Sequence, residues 1–121
     1  MGTRALNTNI TGNNNIALGY QSAQALTSGS NNIVIGYDID LPSIASSNML
    51  NIGNLIYATG LNGINTILST GNVGIGTATP GAKLTISGSV QITDGTQGVG
   101  RFLVSDASGI GSWQSTSSVL A

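Results

Sequence analysis

The chain has 121 residues, a net charge of −1, 18 glycines and neither cysteine nor histidine. Three cations cannot form the basic patch that nucleic-acid binding requires, and the missing residue types exclude a disulfide framework, zinc–thiolate sites and Ser-His-Asp or Cys-His catalysis. Hydrophobic residues make up 40% of the chain and only five residues are aromatic, which favours a thin aliphatic core over a disordered linker.

The first elements along the chain are copies of one short pattern. The stretch "TGNNNIALGYQ" (11–21) aligns with "SGSNNIVIGYD" (28–38), and a third copy, "SNMLNIGN", follows in register. The matching glycines recur at a 17-residue interval: Gly12 and Gly29, then Gly19, Gly36 and Gly53. In "GNVGIGT", Gly76 comes six positions later than a further step of this interval from Gly53 would reach. This fourth coil is therefore expected to follow the third after a six-residue insertion within "TGLNGINTILS".

Each copy reads apolar, variable, apolar, glycine, which is the alternation of a short β-strand. The outer residues are large and aliphatic, whereas the middle position reads Ala, Val, Asn and Gly in the four copies. We therefore expect the outer pairs to form the core, and Ala17 and Val34 on the other face to contact another chain. On this interpretation Ile35→Asp buries an unpaired charge and unfolds the repeat. The asparagines before each strand are interpreted as turn residues.

The register changes after Pro80. The stretch "AKLTISGSVQI" predicts two short strands, at 84–86 and 90–92, and "GRFLVSDASGIGSWQS" predicts a strand at 101–105 with an Asp-Ala-Ser-Gly turn. The predicted class is all-β, with 17-residue coils stacked as a β-solenoid or β-roll. We divide the chain into a solenoid repeat region, residues 1–80, and a β-rich segment of changed register, residues 81–121.

Three patterns bear on chemistry. Asp38 and Asp40 have the spacing of a carboxylate pair or of Ca²⁺ ligands, but solvated acids beside a turn explain them better. Lys83 could serve a Ser–Lys dyad, although a solvated lysine is the simpler interpretation. The glycines of "GNVGIGT" lack the Lys-Ser/Thr ending and the helix of a phosphate loop. We therefore predict no catalytic residue, no metal ligand, no cofactor and no enzyme activity.

The aromatic residues leave two interpretations open. Tyr20 and Tyr37 lie one repeat apart, directly after the strand glycine, and could stack as a ladder. An exposed ladder could bind sugar, whereas the favoured structural interpretation has the rings cap a coil edge or pack between chains. Trp113 is expected to pack between subunits. An ice-binding solenoid would need one threonine array per coil, and the sequence has none.

The copies carry a family resemblance. "NNIALGYQS" and "NNIVIGYDI" resemble the head repeat of trimeric autotransporter adhesins, in which an Asn-Ser-Val-Ala-Ile-Gly-like motif lines a left-handed parallel β-roll. "SNMLNIGNLIYATG", "GNVGIGTATPGAKLTISGSVQI" and "FLVSDASGIGSWQS" resemble consecutive parts of bacteriophage tail-fibre and tail-spike shafts. The most specific string is "NVGIGT-x-x-P-x-x-KL", residues 72–84.

The phage resemblance implies a parallel homotrimeric shaft at the distal end of a virion, hence extracellular, that contributes to host attachment. The implied partners are two further copies, other tail-fibre segments, and a host cell-surface glycan or protein; neither nucleic acid nor membrane insertion is expected. No Ser-Asp-x-x-Leu-Lys-like start of a chaperone domain is visible, so a piece of a longer fibre is expected. The alternative is a head fragment of a bacterial trimeric adhesin, located at the cell surface.

Overall fold

A computed structural model describes residues 2–120 of the chain. Within these residues the chain forms eight short strands and one helical turn, so the predicted all-β class is confirmed. The elements are β1 (Ile16–Leu18), β2 (Ile33–Ile35), β3 (Leu50–Ile52), β4 (Ile56–Ala58), β5 (Val73–Ile75), β6 (Leu84–Ile86), β7 (Phe102–Ser105), β8 (Gly111–Gln114) and α1 (Thr116–Val119). Two compact units divide the chain between Gly88 and Ser89.

Strands β1 to β6 form one sheet in chain order within the first unit. Strands β1, β2 and β3 are parallel, with Ile16 opposite Ile33 and Ile33 opposite Leu50, so the partners are equivalent residues of successive copies. The chain between these strands is hydrogen-bonded in the same way: Thr27 N–H donates to the Ile44 carbonyl. Parallel strands need such a long crossover between them, because a tight hairpin can join only antiparallel ones.

The predicted face assignment is wrong. The middle residue of each 17-residue copy points inward: Ala17 and Val34 are 1% and 0% exposed, and Asn51 is fully buried. The outer residues of the same strands are half-buried or exposed. The inward residues Ala17 and Val34 pack in the core with larger side chains such as Leu26, and the large aliphatic pairs of the strands are left outside.

The core of the first unit is small and aliphatic, and it also contains polar residues. Beside Ala17 and Val34 it comprises Ala23, Leu26, Ile39 and Leu41. Three buried polar residues have hydrogen-bond partners, as burial of such groups requires. The Ser22 hydroxyl donates to the Val34 carbonyl (2.9 Å), Asn51 Nδ2 to the Asp40 carbonyl (2.8 Å), and Asn32 Nδ2 to the Ser46 carbonyl (2.7 Å).

Glycine lets successive coils approach closely. Gly19 has a φ of +126°, and a Cβ placed there would overlap the carbonyl oxygen of Gly36 in the next coil. Gly12 has the same relation to the carbonyl of Gly29. The regular spacing of the glycines therefore reflects backbone contact between coils.

The fourth copy does not pair with the third, contrary to expectation. Strand β4 lies antiparallel between β3 and β5, with Ile52 opposite Ile56 and Ile56 opposite Ile75. The β3–β4 turn is closed by a hydrogen bond from Leu55 N–H to the Ile52 carbonyl, and Gly53 and Asn54 both have positive φ. Because β4 occupies the edge of β3, β5 pairs with β4 and then, in parallel, with β6.

The second unit contains the β7–β8 hairpin. Strand β7 confirms the predicted strand, with Leu103 opposite Trp113. The Asp106 carboxylate accepts hydrogen bonds from the Ser108 and Ile110 N–H groups (2.8 and 2.9 Å), which fixes the predicted turn. The prediction of a strand at 90–92 is wrong: those residues form no strand, and the Ile92 carbonyl accepts a hydrogen bond from Trp113 Nε1 (2.9 Å).

Candidate functional site

The most prominent surface feature is the outward side of the six-stranded sheet, here called the aliphatic face. The strand registers place eleven large aliphatic side chains on this one side, together with Ala58, which lies opposite Leu50 and Val73 and is 5% exposed. The eleven are Ile16, Leu18, Ile33, Ile35, Leu50, Ile52, Ile56, Val73, Ile75, Leu84 and Ile86.

Much of the aliphatic face is accessible to solvent. Ile16 is 51% exposed, Leu18 46% and Leu84 58%, and the outer residues of β2 and β3 are half-buried. Its side chains contain no titratable or hydrogen-bonding group. Large exposed apolar patches are a known sign of interaction sites, which makes this face the candidate site.

Two rows of asparagines run from coil to coil beside the strands. Asn14 Nδ2 donates to Asn31 Oδ1, and Asn31 Nδ2 donates to Asn48 Oδ1, both at 3.1 Å. All three have a φ between 56° and 61°, a left-handed conformation that asparagine tolerates well. In the second row, Asn32 Nδ2 donates to Asn15 Oδ1 (3.0 Å). The asparagines therefore occupy turns, as predicted, but their amides mainly join neighbouring coils.

The stacking of Tyr20 on Tyr37 agrees with the ladder considered from the sequence. The ring centroids are 5.4 Å apart and the planes differ by 20°. Tyr20 is 38% exposed and Tyr37 75% exposed. The pair therefore lies at the surface, with Tyr37 as its more open member.

Asp38 and Asp40, considered from the sequence as a carboxylate pair or as Ca²⁺ ligands, are solvent-exposed acids. Asp38 and Asp40 follow β2 in a bend and not on a strand, and both are exposed. Asp40 Oδ1 accepts a hydrogen bond from Ala25 N–H (2.9 Å), which ties two coils together. Within residues 2–120, no three acidic side chains come together as a cation site.

Lys83 and the glycine-rich stretch have structural roles. The Lys83 ammonium donates to the carbonyls of Thr70 (2.6 Å) and Gly71 (2.8 Å). These hydrogen bonds hold the chain before β5, and they are backbone contacts and not those of a Ser–Lys dyad. A Cβ at Gly71 would overlap the Thr59 carbonyl, and Gly74 is the inward residue of β5. Close backbone packing accounts for these glycines.

The second unit has one perturbed carboxyl group. Hydrogen bonds from the Thr96 hydroxyl (2.7 Å) and Thr96 N–H (2.8 Å) lower the pKa of Asp94 below its ordinary value of 3.8. Asp94 also accepts a hydrogen bond from Trp113 N–H (3.3 Å). Trp113, half-buried, packs within its own chain through these contacts and its pairing with Leu103.

The sequence analysis did not predict that the aliphatic face points outward, although the sequence contains a signal for it. The middle positions read Ala, Val, Asn and Gly, which are small on average, and closely packed inward strand positions favour such residues. The asparagine rows were visible as Asn14, Asn31 and Asn48, one in each copy at the same position, but were assigned to local turns.

Comparisons of the chain with protein-family models, curated proteins and solved structures find no match. Within the described residues, no helix has the length and hydropathy of a membrane span.

Proposed function

We propose that this chain is a shaft segment of a bacteriophage tail fibre, in which 17-residue coils form a β-solenoid and three parallel copies pack through their aliphatic faces. The trimer acts as a stiff, nearly neutral spacer on the virion and contributes to host attachment. Its role is structural and adhesive, without catalysis.

The observation that supports this proposal is the inverted distribution of side chains. Small or polar residues take the inward positions of β1, β2, β3 and β5, and the larger aliphatic residues of the same strands, Leu18 and Ile35 among them, lie outside. Burying such a surface against other copies removes apolar area from water, at about 25 cal/mol per Å². A symmetric trimer covers the same face on every chain. The number three comes from the resemblance of the repeats to trimeric shafts and adhesin heads.

The coil contacts support a stiff spacer. Neighbouring coils are joined by backbone hydrogen bonds, by the asparagine rows and by close glycine packing, for example between Gly19 and Gly36. The chain carries seven charged residues in total, so it lacks the charge density that would steer nucleic acid or a strongly charged surface to it.

The second candidate is a head fragment of a bacterial trimeric autotransporter adhesin. The parallel pairing of β1, β2 and β3 in the register of the repeat favours it. The antiparallel β4 and the hairpin of the second unit fall in the stretches that resemble phage shafts, which is why the phage assignment is preferred.

A matched pair of variants tests the assembly. Leu18 and Ile44 are both exposed, at 46% and 58%, but only Leu18 belongs to the aliphatic face. We expect Leu18→Asp to reduce the solution mass measured by light scattering to that of one chain, because a buried charge opposes association. Ile44→Asp should leave the mass of the native assembly unchanged. Equal effects of the two variants would contradict the proposal.

A further inference from the structure

The side of the Tyr37 ring that points away from Tyr20, here called its outer face, is an exposed aromatic surface. One side of the ring stacks on Tyr20, yet Tyr37 remains 75% exposed, about twice the 38% of Tyr20. A ring that only capped a coil edge would lose more of its surface to the protein. The ring also lies beyond the end of β2, after Gly36, and Tyr37 is not one of the strand residues that make up the aliphatic face.

The next coil leaves this side of the ring open. Tyr20 and Tyr37 occupy equivalent positions in the first two copies, and the equivalent residue of the third copy is Asn54. Asn54 does not extend the stack, because its Oδ1 accepts hydrogen bonds from Asn51 Nδ2 (2.8 Å) and Tyr57 OH (3.0 Å). Gly53, which lies against Gly36, has no side chain, and a Cβ placed on it would meet nothing within 4 Å.

A hydrogen-bonding group adjoins the ring. Asp38 directly follows Tyr37, is exposed, and has its backbone held by a hydrogen bond from its N–H to the Tyr20 carbonyl (2.8 Å). A carboxylate accepts hydrogen bonds from hydroxyl groups and repels other anions. An exposed aromatic ring followed in the chain by an exposed carboxylate suits a ligand that has one apolar face and several hydroxyls.

We propose that the outer face of Tyr37, together with the Asp38 carboxylate, binds a neutral pyranose of a glycan. The C–H face of the sugar stacks on the ring, and a sugar hydroxyl donates to Asp38. This inference rests on the proposed function, since it names the ligand class through which the shaft contributes to host attachment. The carboxylate selects against uronic acids and other anionic sugars.

The test uses saturation-transfer NMR on the native assembly with methyl β-D-galactopyranoside, whose ring has a continuous C–H face. We expect saturation transfer from the native chain to the ring protons of the sugar. Tyr37→Ala should bind the sugar about tenfold more weakly, because the stacking surface is gone. Tyr37→Phe keeps the ring and should bind within about twofold of the native chain. Phe102→Leu, which removes a 55% exposed aromatic ring of the second unit, is the control and should bind like the native chain.

The charge argument has its own comparison. Methyl β-D-galactopyranosiduronate should give a weaker signal than the neutral glycoside with the native chain, and Asp38→Asn should abolish that difference. Absence of transfer to the neutral glycoside, or equal transfer with Tyr37→Ala, would overturn the sugar site. Light scattering on the same samples separates the two proposals: a trimer without sugar binding contradicts the site alone, whereas a monomer contradicts the shaft.

Discussion

The adjacent residues Val34 and Ile35 provide a direct test of which side of the sheet is the interior of the chain. Val34 is fully buried between Ala17 and Asn51 of the neighbouring coils, whereas Ile35 lies on the aliphatic face and is half-buried. Val34→Asp and Ile35→Asp place the same charge on consecutive residues. They therefore differ chiefly in the face that receives it.

The structure sets the size of each effect. Val34→Asp removes about 2 kcal/mol of apolar burial and adds a desolvation cost of several kcal/mol for an unpaired carboxylate. The sum of about 5 kcal/mol or more is comparable to the whole stability of a typical small domain. Ile35→Asp leaves its carboxylate in contact with water in a single chain, so we expect a loss of about 1 kcal/mol there. Its main effect should be on association.

Circular dichroism during urea unfolding, with light scattering on the same samples, separates the two outcomes. We expect Val34→Asp to lose its β spectrum and its cooperative transition. Ile35→Asp should keep a β spectrum but have the mass of one chain. A folded Val34→Asp next to an unfolded Ile35→Asp would refute the assignment of the two faces and restore the one expected from the sequence.

Four further substitutions test the contacts between coils and, separately, the contacts of Asp94 within the second unit. Gly19→Ala should prevent the stacking of neighbouring coils. Gly53→Ala, in open space at a φ of +60°, should lower the free energy of unfolding in urea by only about 1–2 kcal/mol. Equal losses of stability in the two variants would contradict the role of Gly19 in close packing between coils. Asn31→Gly keeps the positive φ but removes two hydrogen bonds of its row, so it should lower the free energy of unfolding by about 1–2 kcal/mol in the same assay. Unchanged stability of this variant would show that the asparagine row does not stabilise the fold. The folded pKa of Asp94 lies below its unfolded value of 3.8, so its stabilising contribution is complete above that value and is lost as pH falls through the folded pKa. Fluorescence of Trp113, the single tryptophan, should stay constant down to about pH 4 and change below it, and Asp94→Asn should remove that acid transition.

Alternation and spacing were sufficient to predict the class, the 17-residue register and the strands β1, β2 and β3. They could not decide which side faces inward, since a period of two defines two faces without ranking them. Large aliphatic residues such as Ile33 and Ile35 usually fill a core, but here Ala17 and Val34 take the inward strand positions and pack with Leu26, which lies outside the strands.

Strand β4 was not predicted, because the repeat pattern requires a glycine after each strand and "LIYA" has none. The Gly53-Asn54 pair before it is a recognised hairpin signal, and both residues have the positive φ that such turns require. The contacts of Lys83 and Asp40 with distant carbonyl and amide groups could not be predicted from the sequence, because they depend on how loops from different coils meet.

The central claim is that the aliphatic face is covered by identical chains. The most direct measurement is the mass of the native chain by light scattering on a sizing column, with an unboiled denaturing gel of the same sample. We predict about three times the 12.1 kDa of one chain, and a trimer band that resists detergent, as expected of a kinetically stable shaft. A folded protein with the mass of a single chain would contradict the account.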